Sequence, residues 1–179
     1  MERRLPRSRR RHQTGQSLVE FALVVPFFLA LLFSIIEFGR ATYYVQMLNN
    51  AAREGARYAI VHGAESTNPS GPFPPAWAPD QNPGDLYGAN VVAATKNAAI
   101  AVIDSASPTD FVVSVKWCDE DGNIADCPDT NAAGRGDGDN GRNQTVMVSV
   151  TYEFEPWIRA IVPLPTFTLT GASSLVVNH

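Results

Sequence analysis

The chain has 179 residues, two cysteines and a formal net charge of −4. Six arginines lie in residues 1–15, and the other 164 residues carry a net charge of −9. A nucleic-acid-binding protein needs a basic face, so a chain whose basic residues are concentrated in one short run is not predicted to bind nucleic acid. The 141 residues after position 38 suffice for one domain with its own core and are too few for two.

Residues 1–15 are predicted to be a basic leader to which no fold should be assigned. Basic flanks of membrane segments stay in the cytoplasm, so the leader is expected there and the rest of the chain outside. An ordinary secretory signal is cut after its apolar part. Here the apolar part continues into more helix-forming sequence, and the expected cut lies before it, after Gly15.

An uncharged apolar run extends from Phe21 to Ile36, between Glu20 and Glu37. As a helix it would be about 24 Å long at 1.5 Å per residue, and extension to the flanking residues gives enough length for the roughly 30 Å hydrocarbon core of a bilayer. The run is apolar on all sides, whereas helices of soluble proteins are apolar on one stripe. We therefore predict a transmembrane helix over residues 16–38. The alternative, a buried core helix, requires a larger domain than this chain can form.

The helix is predicted to continue outside the membrane to residue 62, because apolar and small residues keep helical spacing there. Two small-residue pairs stand out, Ala52 with Ala56 and Gly55 with Ala59. Small residues let another backbone approach closely. The sequence leaves open whether that backbone belongs to the protein's own sheet or to a neighbouring helix in an assembly.

The remainder of the domain, residues 39–179, alternates between loops and regular elements. Proline-rich residues 63–85 predict a loop. The alanine-rich stripe predicts a second helix over residues 86–105, and β-branched alternation predicts strands over residues 111–117, 145–155 and 166–178.

Within the predicted strands, Val146, Val148, Val150, Tyr152 and Phe154 share one face, and Gly171 is expected to mark a bulge or a bend. Short connections between successive strands favour antiparallel pairing. The sequence thus predicts an α+β fold, with a long N-terminal helix packed on a small antiparallel sheet and a second helix nearby.

The segment around the expected cut resembles a known processing site. The run Gly15-Gln16-Ser17-Leu18-Val19-Glu20-Phe21 is similar to the prepilin-peptidase site of type IV pilins, a glycine followed five residues on by glutamate and then an aromatic residue. Together with the apolar span and Asn49-Asn50-Ala51-Ala52-Arg53-Glu54-Gly55-Ala56-Arg57-Tyr58-Ala59, it resembles the TadE-like pilus-assembly proteins of the Tad (tight adherence, Flp pilus) system.

The resemblance implies that a cytoplasmic-side prepilin peptidase cuts between Gly15 and Gln16. It also implies an assembly role for Glu20 and Phe21, in which Glu20 neutralises the free amine of a neighbouring subunit. An isolated carboxylate in hydrocarbon is costly unless it is paired, which is consistent with that role. The alternative is that Glu20 lies at the level of the headgroups and pairs with nothing.

The resemblance further implies a pilin-like fold and the function of a minor pilin or pseudopilin for Tad adhesion pili, since major Flp pilins are far shorter. Its expected partners are other Tad pilins, the inner-membrane assembly platform, the prepilin peptidase and membrane lipid. It would cross the cytoplasmic membrane once, with its domain outside the cytoplasm or on the pilus at the cell surface. The alternative is an unprocessed single-pass protein whose outer domain binds a ligand or calcium.

Both cysteines, Cys118 and Cys127, fall in the part predicted to lie outside the cytoplasm, where a disulfide is allowed. A bond between them would close a short acidic loop and contribute roughly 2–3 kcal/mol by the loop-entropy model. The alternative is two free thiols.

That acidic loop also has the alternating oxygen ligands of a calcium loop, at Asp119, Asp121, Asn123 and Asp126. It lacks the bidentate glutamate at the twelfth position, where Thr130 stands. Calcium is therefore a hypothesis, and no other cofactor is expected.

No catalytic constellation is evident in the sequence. After the leader the chain has two histidines, so a Ser–His–Asp or Cys–His site would have to use His62 or His179, and neither has a suitable context. The carboxylates cluster in glycine-rich loops, which are a poor rigid setting for acid–base chemistry. The protein is not predicted to be an enzyme.

Overall fold

A computed structural model of the chain describes residues 13–72, 88–99, 111–118, 140–160 and 165–178. The elements in chain order are helix α1 (Gln13–Val61), helix α2 (Ala89–Ala98), strands β1 (Phe111–Cys118), β2 (Thr145–Phe154) and β3 (Phe167–Val176), and a 3₁₀ helix (Trp157–Ala160) between β2 and β3. The strands form a sheet in the order β1-β2-β3, and both pairs are antiparallel. The predicted α+β fold is confirmed.

Helix α1 is the longest element, with 49 residues, and it continues through Pro26. The chain divides into two compact units between Arg40 and Ala41. We call residues 13–40 of α1 its first half and residues 41–61 its second half. The first half belongs to the first unit, and the second half belongs to the unit that contains α2 and the sheet.

The central strand β2 supplies the core with one complete face. Val146, Val148, Val150, Tyr152 and Phe154 are all buried, as their alternation predicts. On either side they are opposed by residues of the same face, for example Val115 of β1 and Ser173 of β3 opposite Val148. This face is where the second half of α1 packs.

The second half of α1 meets the sheet through small residues and one leucine. Residues Leu48, Ala51, Ala52, Ala56 and Ala59 are completely buried. The sequence left open whether the small residues meet the protein's own sheet or a neighbouring helix. These alanines are buried in the core of their own chain.

Gly55 of α1 lies against α2, where there is no room for a side chain. A Cβ atom on Gly55 would be 2.0 Å from Thr95 Oγ1 and 3.3 Å from Val148 Cγ1. The Thr95 hydroxyl donates to Val91 O at 2.8 Å, so it is held in place within α2.

Gly171 does not mark a bulge, so that prediction is wrong. It pairs with Val150 in an unbroken register from Thr145 to Phe154. A Cβ atom there would be 2.5 Å from the Leu48 carbonyl carbon and 2.6 Å from the Asn49 nitrogen. The glycine is required because the backbone of α1 approaches β3 at this point.

Within the described residues, helix α2 spans Ala89–Ala98. It begins at Ala89, not at residue 86, because Gly88 has a left-handed conformation with φ 63°. A Cβ atom on Gly88 would be 2.4 Å from the Trp117 ring. At its other end the helix stops at Ala98, and Ala99 has a non-helical conformation with φ −98° and ψ 13°; the predicted residues 100–105 lie outside the described residues.

The end of the sheet near Thr145 is tied to the loop after α1. Asn140 is buried. Its backbone N–H donates to Pro72 O at 2.7 Å, and its backbone carbonyl oxygen accepts from Ala64 N–H at 2.9 Å. Arg142 and Glu65 form an ion pair at 2.6 Å, and this hydrogen bond and the Glu65 charge raise the pKa of Arg142. The part of the predicted 63–85 loop beyond residue 72 lies outside the described residues.

Candidate membrane and assembly site

The expected cleavage site lies near the start of α1. Gly15 and Gln16 are the third and fourth residues of the helix, and Gly15 is exposed. A Cβ atom on Gly15 would meet nothing within 4 Å. Glycine weakens a helix by about 1 kcal/mol relative to alanine, so neither packing nor helix propensity accounts for a glycine at this position.

Glu20 is exposed on the next turn of the helix. Its Oε1 accepts a hydrogen bond from Gln16 Nε2 at 3.1 Å, the i,i+4 contact that a helix brings together. The amide is neutral, so this hydrogen bond by itself does not compensate the charge of a carboxylate. Phe21 follows with 69 % of its surface exposed.

The remainder of the first half of α1 exposes large apolar side chains in every direction. The most apolar 18-residue segment of α1 has no buried residue, and by length and composition the helix is sufficient to cross a membrane. The exposed residues are Leu18, Val19, Phe21, Leu23, Val24, Phe27, Phe28, Leu29, Leu31, Leu32, Phe33, Ile35, Ile36 and Phe38. Water is a poor solvent for a surface of this kind and extent, and the apolar helix indicates a membrane anchor.

An ion pair closes the apolar run at its far end. Arg40 donates to Glu37 Oε2 at 2.8 Å through its Nη2 and at 3.1 Å through its Nε. The side chains are only 18 % and 14 % exposed. Sequence analysis treated Glu37 only as the end of the run and missed this pair. The i,i+3 spacing of opposite charges at the end of an apolar stretch was the signal that could have identified it.

Most of the other predicted site residues lie outside the described residues. Cys118 is buried at the end of β1, whereas Cys127 lies outside the described residues, so the disulfide stays a prediction. Asp119, Asp121, Asn123 and Asp126, the four calcium candidates, also lie outside them. Within the described ranges there is no cluster of three or more His, Cys, Asp or Glu residues that could hold a metal ion.

Comparison with known proteins gives a match to a protein family. The family model described as TadE-like protein matches residues 15–57, about a quarter of the chain. The matched segment begins at Gly15, includes Glu20 and the apolar run, and ends among the buried small residues of α1. The resemblance noted from the sequence is confirmed over this segment. No curated protein and no solved structure matches the chain.

Proposed function

We propose, on the premise that residues 15–57 are a TadE-like segment, that this protein is a minor pilin or pseudopilin for assembly of Tad (Flp) pili. The TadE-like match relates the chain to the Tad pilus system. The observation that carries the proposal is the first half of α1, which exposes apolar side chains on all sides and has Gly15 and Glu20 at its start. Such a helix is suited both to lipid and to packing against other helices of the same kind.

The proposed topology follows from the distribution of charge. The six arginines of residues 1–15 hold the leader in the cytoplasm, residues 16–38 cross the cytoplasmic membrane, and residues 39–179 lie outside. The Glu37–Arg40 pair then falls at the outer end of the span. Pairing lowers the cost of placing these two charges beside hydrocarbon.

Processing by prepilin peptidase explains the glycine at position 15. The fold has room for a larger side chain there, and the helix would be more stable without glycine. A protease subsite that accepts only a small residue before the scissile bond would account for glycine at position 15. Cleavage would make Gln16 the new N-terminus and leave Glu20 four residues from its amine.

Gly39 provides a matched control for this interpretation. It is also an exposed glycine in the first half of α1, and a Cβ atom on it would likewise meet nothing within 4 Å. A side chain introduced at either position therefore starts into open space. A difference between the two variants reports recognition of the site rather than damage to the helix.

The test is mass spectrometry of the full-length protein purified from membranes of cells that assemble Tad pili. The wild type and Gly39→Leu are expected to begin at Gln16, and Gly15→Leu is expected to keep its leader and to fail to support surface fibres. An intact leader on the wild type would favour the unprocessed single-pass alternative. Normal numbers of fibres with the leader retained would contradict the pilin-like role.

Glu20 is proposed to act after processing. Its partner among the described residues is a neutral amide, and an isolated carboxylate in lipid is costly unless it is paired, so a cation from a neighbouring subunit is the proposed partner. Glu20→Leu is expected to be cleaved and inserted normally but to assemble poorly. Loss of cleavage in Glu20→Leu, or full assembly of this variant, would contradict the proposed pairing of Glu20 with a neighbouring subunit.

Immunogold labelling of sheared pili separates the two forms of the proposal. Label along or at the tip of fibres would identify a filament subunit in contact with other Tad pilins. Label that stays in the membrane would identify an assembly factor that works with the inner-membrane platform. Both outcomes are compatible with the same anchor and the same processing.

A further inference from the structure

Strand β3 forms one edge of the sheet, and its ten residues exceed the usual strand length of about five or six. Natural sheets protect their edges with short strands, charged side chains, prolines or bulges, because an unpaired edge can add a strand from another molecule. Residues 167–176 contain no charge and no proline, and they pair with β2 without a bulge. The other edge strand, β1, is shorter and carries Lys116. The usual protections are therefore missing from β3 itself.

One hydrogen bond shows which backbone groups lie on the free edge of β3, by which we mean the side that faces away from β2. Ala172 N–H donates to Asn49 Oδ1 at 3.3 Å, so this N–H points away from β2. Residues of an antiparallel strand direct their backbone groups alternately to one side and to the other. The free edge therefore presents the N–H and C=O groups of Thr168, Thr170, Ala172, Ser174 and Val176. Within the described part of the chain, the N–H of Ala172 alone has a partner on that side.

Asn49 reaches the free edge because the backbone of α1 crosses β3 at Gly171. A Cβ atom on Gly171 would be 2.6 Å from the Asn49 nitrogen, so only a glycine allows this approach. Asn49 Nδ2 donates to Val45 O at 2.9 Å, and this second bond orients the amide with its oxygen toward β3. An amide oxygen is a hydrogen-bond acceptor like a backbone carbonyl. It takes the place that a carbonyl of an added strand would occupy.

We infer that Asn49 blocks the free edge of β3 against pairing with the same edge of a second copy of this chain. Ala172 is the middle one of the five residues on that edge, so a continuous ladder can form only after the Asn49 amide has been displaced. Two copies of β3 have the same length and no charge to repel each other, which makes the second copy the strand to be kept out. The inference does not depend on the proposed pilus role, since every residue in it belongs to the unit of residues 41–179.

The test compares the self-association of the full-length wild type and Asn49→Ala in detergent micelles by analytical ultracentrifugation over a range of protein concentrations. Asn49→Ala is expected to associate about tenfold more tightly, as the loss of one competing hydrogen bond predicts. Amide exchange locates the contact. In dilute Asn49→Ala the Ala172 amide exchanges faster than in the wild type, and at high concentration the amides of Thr170, Ala172 and Ser174 become protected. In the wild type, exchange at Thr170 and Ser174 is expected not to depend on concentration.

Two variants restore the block by different means. Asn49→Asp keeps an acceptor for Ala172 N–H and adds a charge at the edge, and it is expected to associate no more than the wild type. Thr170→Lys in the Asn49→Ala background places a lysine on the exposed edge, the protection that natural edge strands often use. It is expected to return association to the wild-type level.

Leu48→Ala is the control for loss of stability. It removes neither hydrogen bond of Asn49, yet it empties a completely buried position and costs more stability than the loss of one hydrogen bond. It is expected to associate like the wild type under conditions in which it stays folded.

Three results would overturn the inference. The first is equal association of Asn49→Ala and the wild type, and the second is association of Leu48→Ala as strong as that of Asn49→Ala. The third is association of Asn49→Ala without protection of the Thr170 and Ser174 amides. None of them bears on cleavage after Gly15 or on insertion of the first half of α1, so failure here leaves the proposed function standing.

Discussion

The two halves of α1 share one backbone conformation but differ in what surrounds them. The first half exposes apolar side chains on all sides, and Phe27 alone is 78 % exposed. The second half buries Leu48 and four alanines completely against the sheet and α2. Both halves carry apolar side chains, yet within the described part of the chain only those of the second half pack against other elements.

Side-chain size follows this difference. The second half uses alanine and glycine because the sheet backbone and α2 approach it closely, as the contacts at Gly55 and Gly171 show. The first half uses phenylalanine, leucine and isoleucine, which fit lipid or other helices without a fixed neighbour. Apolar character thus indicates burial, and residue size indicates whether the partner is the chain itself or something outside it.

The largest expected difference between the halves concerns leucine. Leu48→Ala removes a completely buried side chain and is expected to lower the free energy of unfolding by about 3 kcal/mol, through lost burial and the cavity that remains. Leu31→Ala, at a residue that is 61 % exposed, is expected to change it by less than about 0.5 kcal/mol. Thermal unfolding of the full-length protein in detergent micelles, followed by near-ultraviolet circular dichroism, measures both. Equal effects would contradict the comparison.

Glycine-to-alanine substitutions test the same difference between the two halves of α1. The change in stability is expected to be a loss in the second half and no loss in the first half. Gly55→Ala pushes a methyl group onto Thr95 and Val148, and we expect a loss of about 1–2 kcal/mol because overpacking outweighs the gain in helix propensity. Gly39→Ala meets nothing and is expected to leave the unfolding midpoint unchanged or to raise it. Denaturation of both variants under identical conditions decides the matter. A stabilised Gly55→Ala would mean that α2 moves aside freely.

The elements that sequence predicted correctly are those governed by local pattern. The alternation of β2 defines its buried face, and the uncharged apolar run defines the first half of α1. These features depend on residues that are neighbours in the chain, so a single sequence contains the information.

Features set by the approach of distant segments were missed. Gly171 was taken for a bulge because nothing in β3 reveals that Leu48 and Asn49 lie against it. The start of α2 was placed too early because the role of Gly88 depends on Trp117, a residue of another element. For the candidate site, Gly15 and Glu20 could be located, but the partner that each is proposed to meet belongs to another molecule.

Asn49 offers a test of intermediate size at the boundary between helix and sheet. Its Oδ1 accepts from Ala172 N–H of β3 at 3.3 Å, and its Nδ2 donates to Val45 O at 2.9 Å. Asn49→Ala removes both bonds and is expected to lower the free energy of unfolding by about 1 kcal/mol. Asn50→Ala is the control, since Asn50 is exposed. Amide exchange should quicken at Ala172 in the first variant alone.

Two ion pairs of the same spacing give the smallest and most direct comparison, one in each half of α1. Glu37 and Arg40 are 2.8 Å apart and largely covered, whereas Glu54 and Arg57 are 3.9 Å apart and 56–73 % exposed. Solvent screens the second pair, so a double-mutant cycle with alanine is expected to give a coupling below about 0.5 kcal/mol. The first pair is expected to couple by about 1 kcal/mol, because less water competes for its charges. Amide hydrogen exchange along α1 in micelles reports local opening around each pair. Equal couplings would mean that the covered position of Glu37 and Arg40 does not strengthen their attraction, and would remove the reason for a pair at the end of the span.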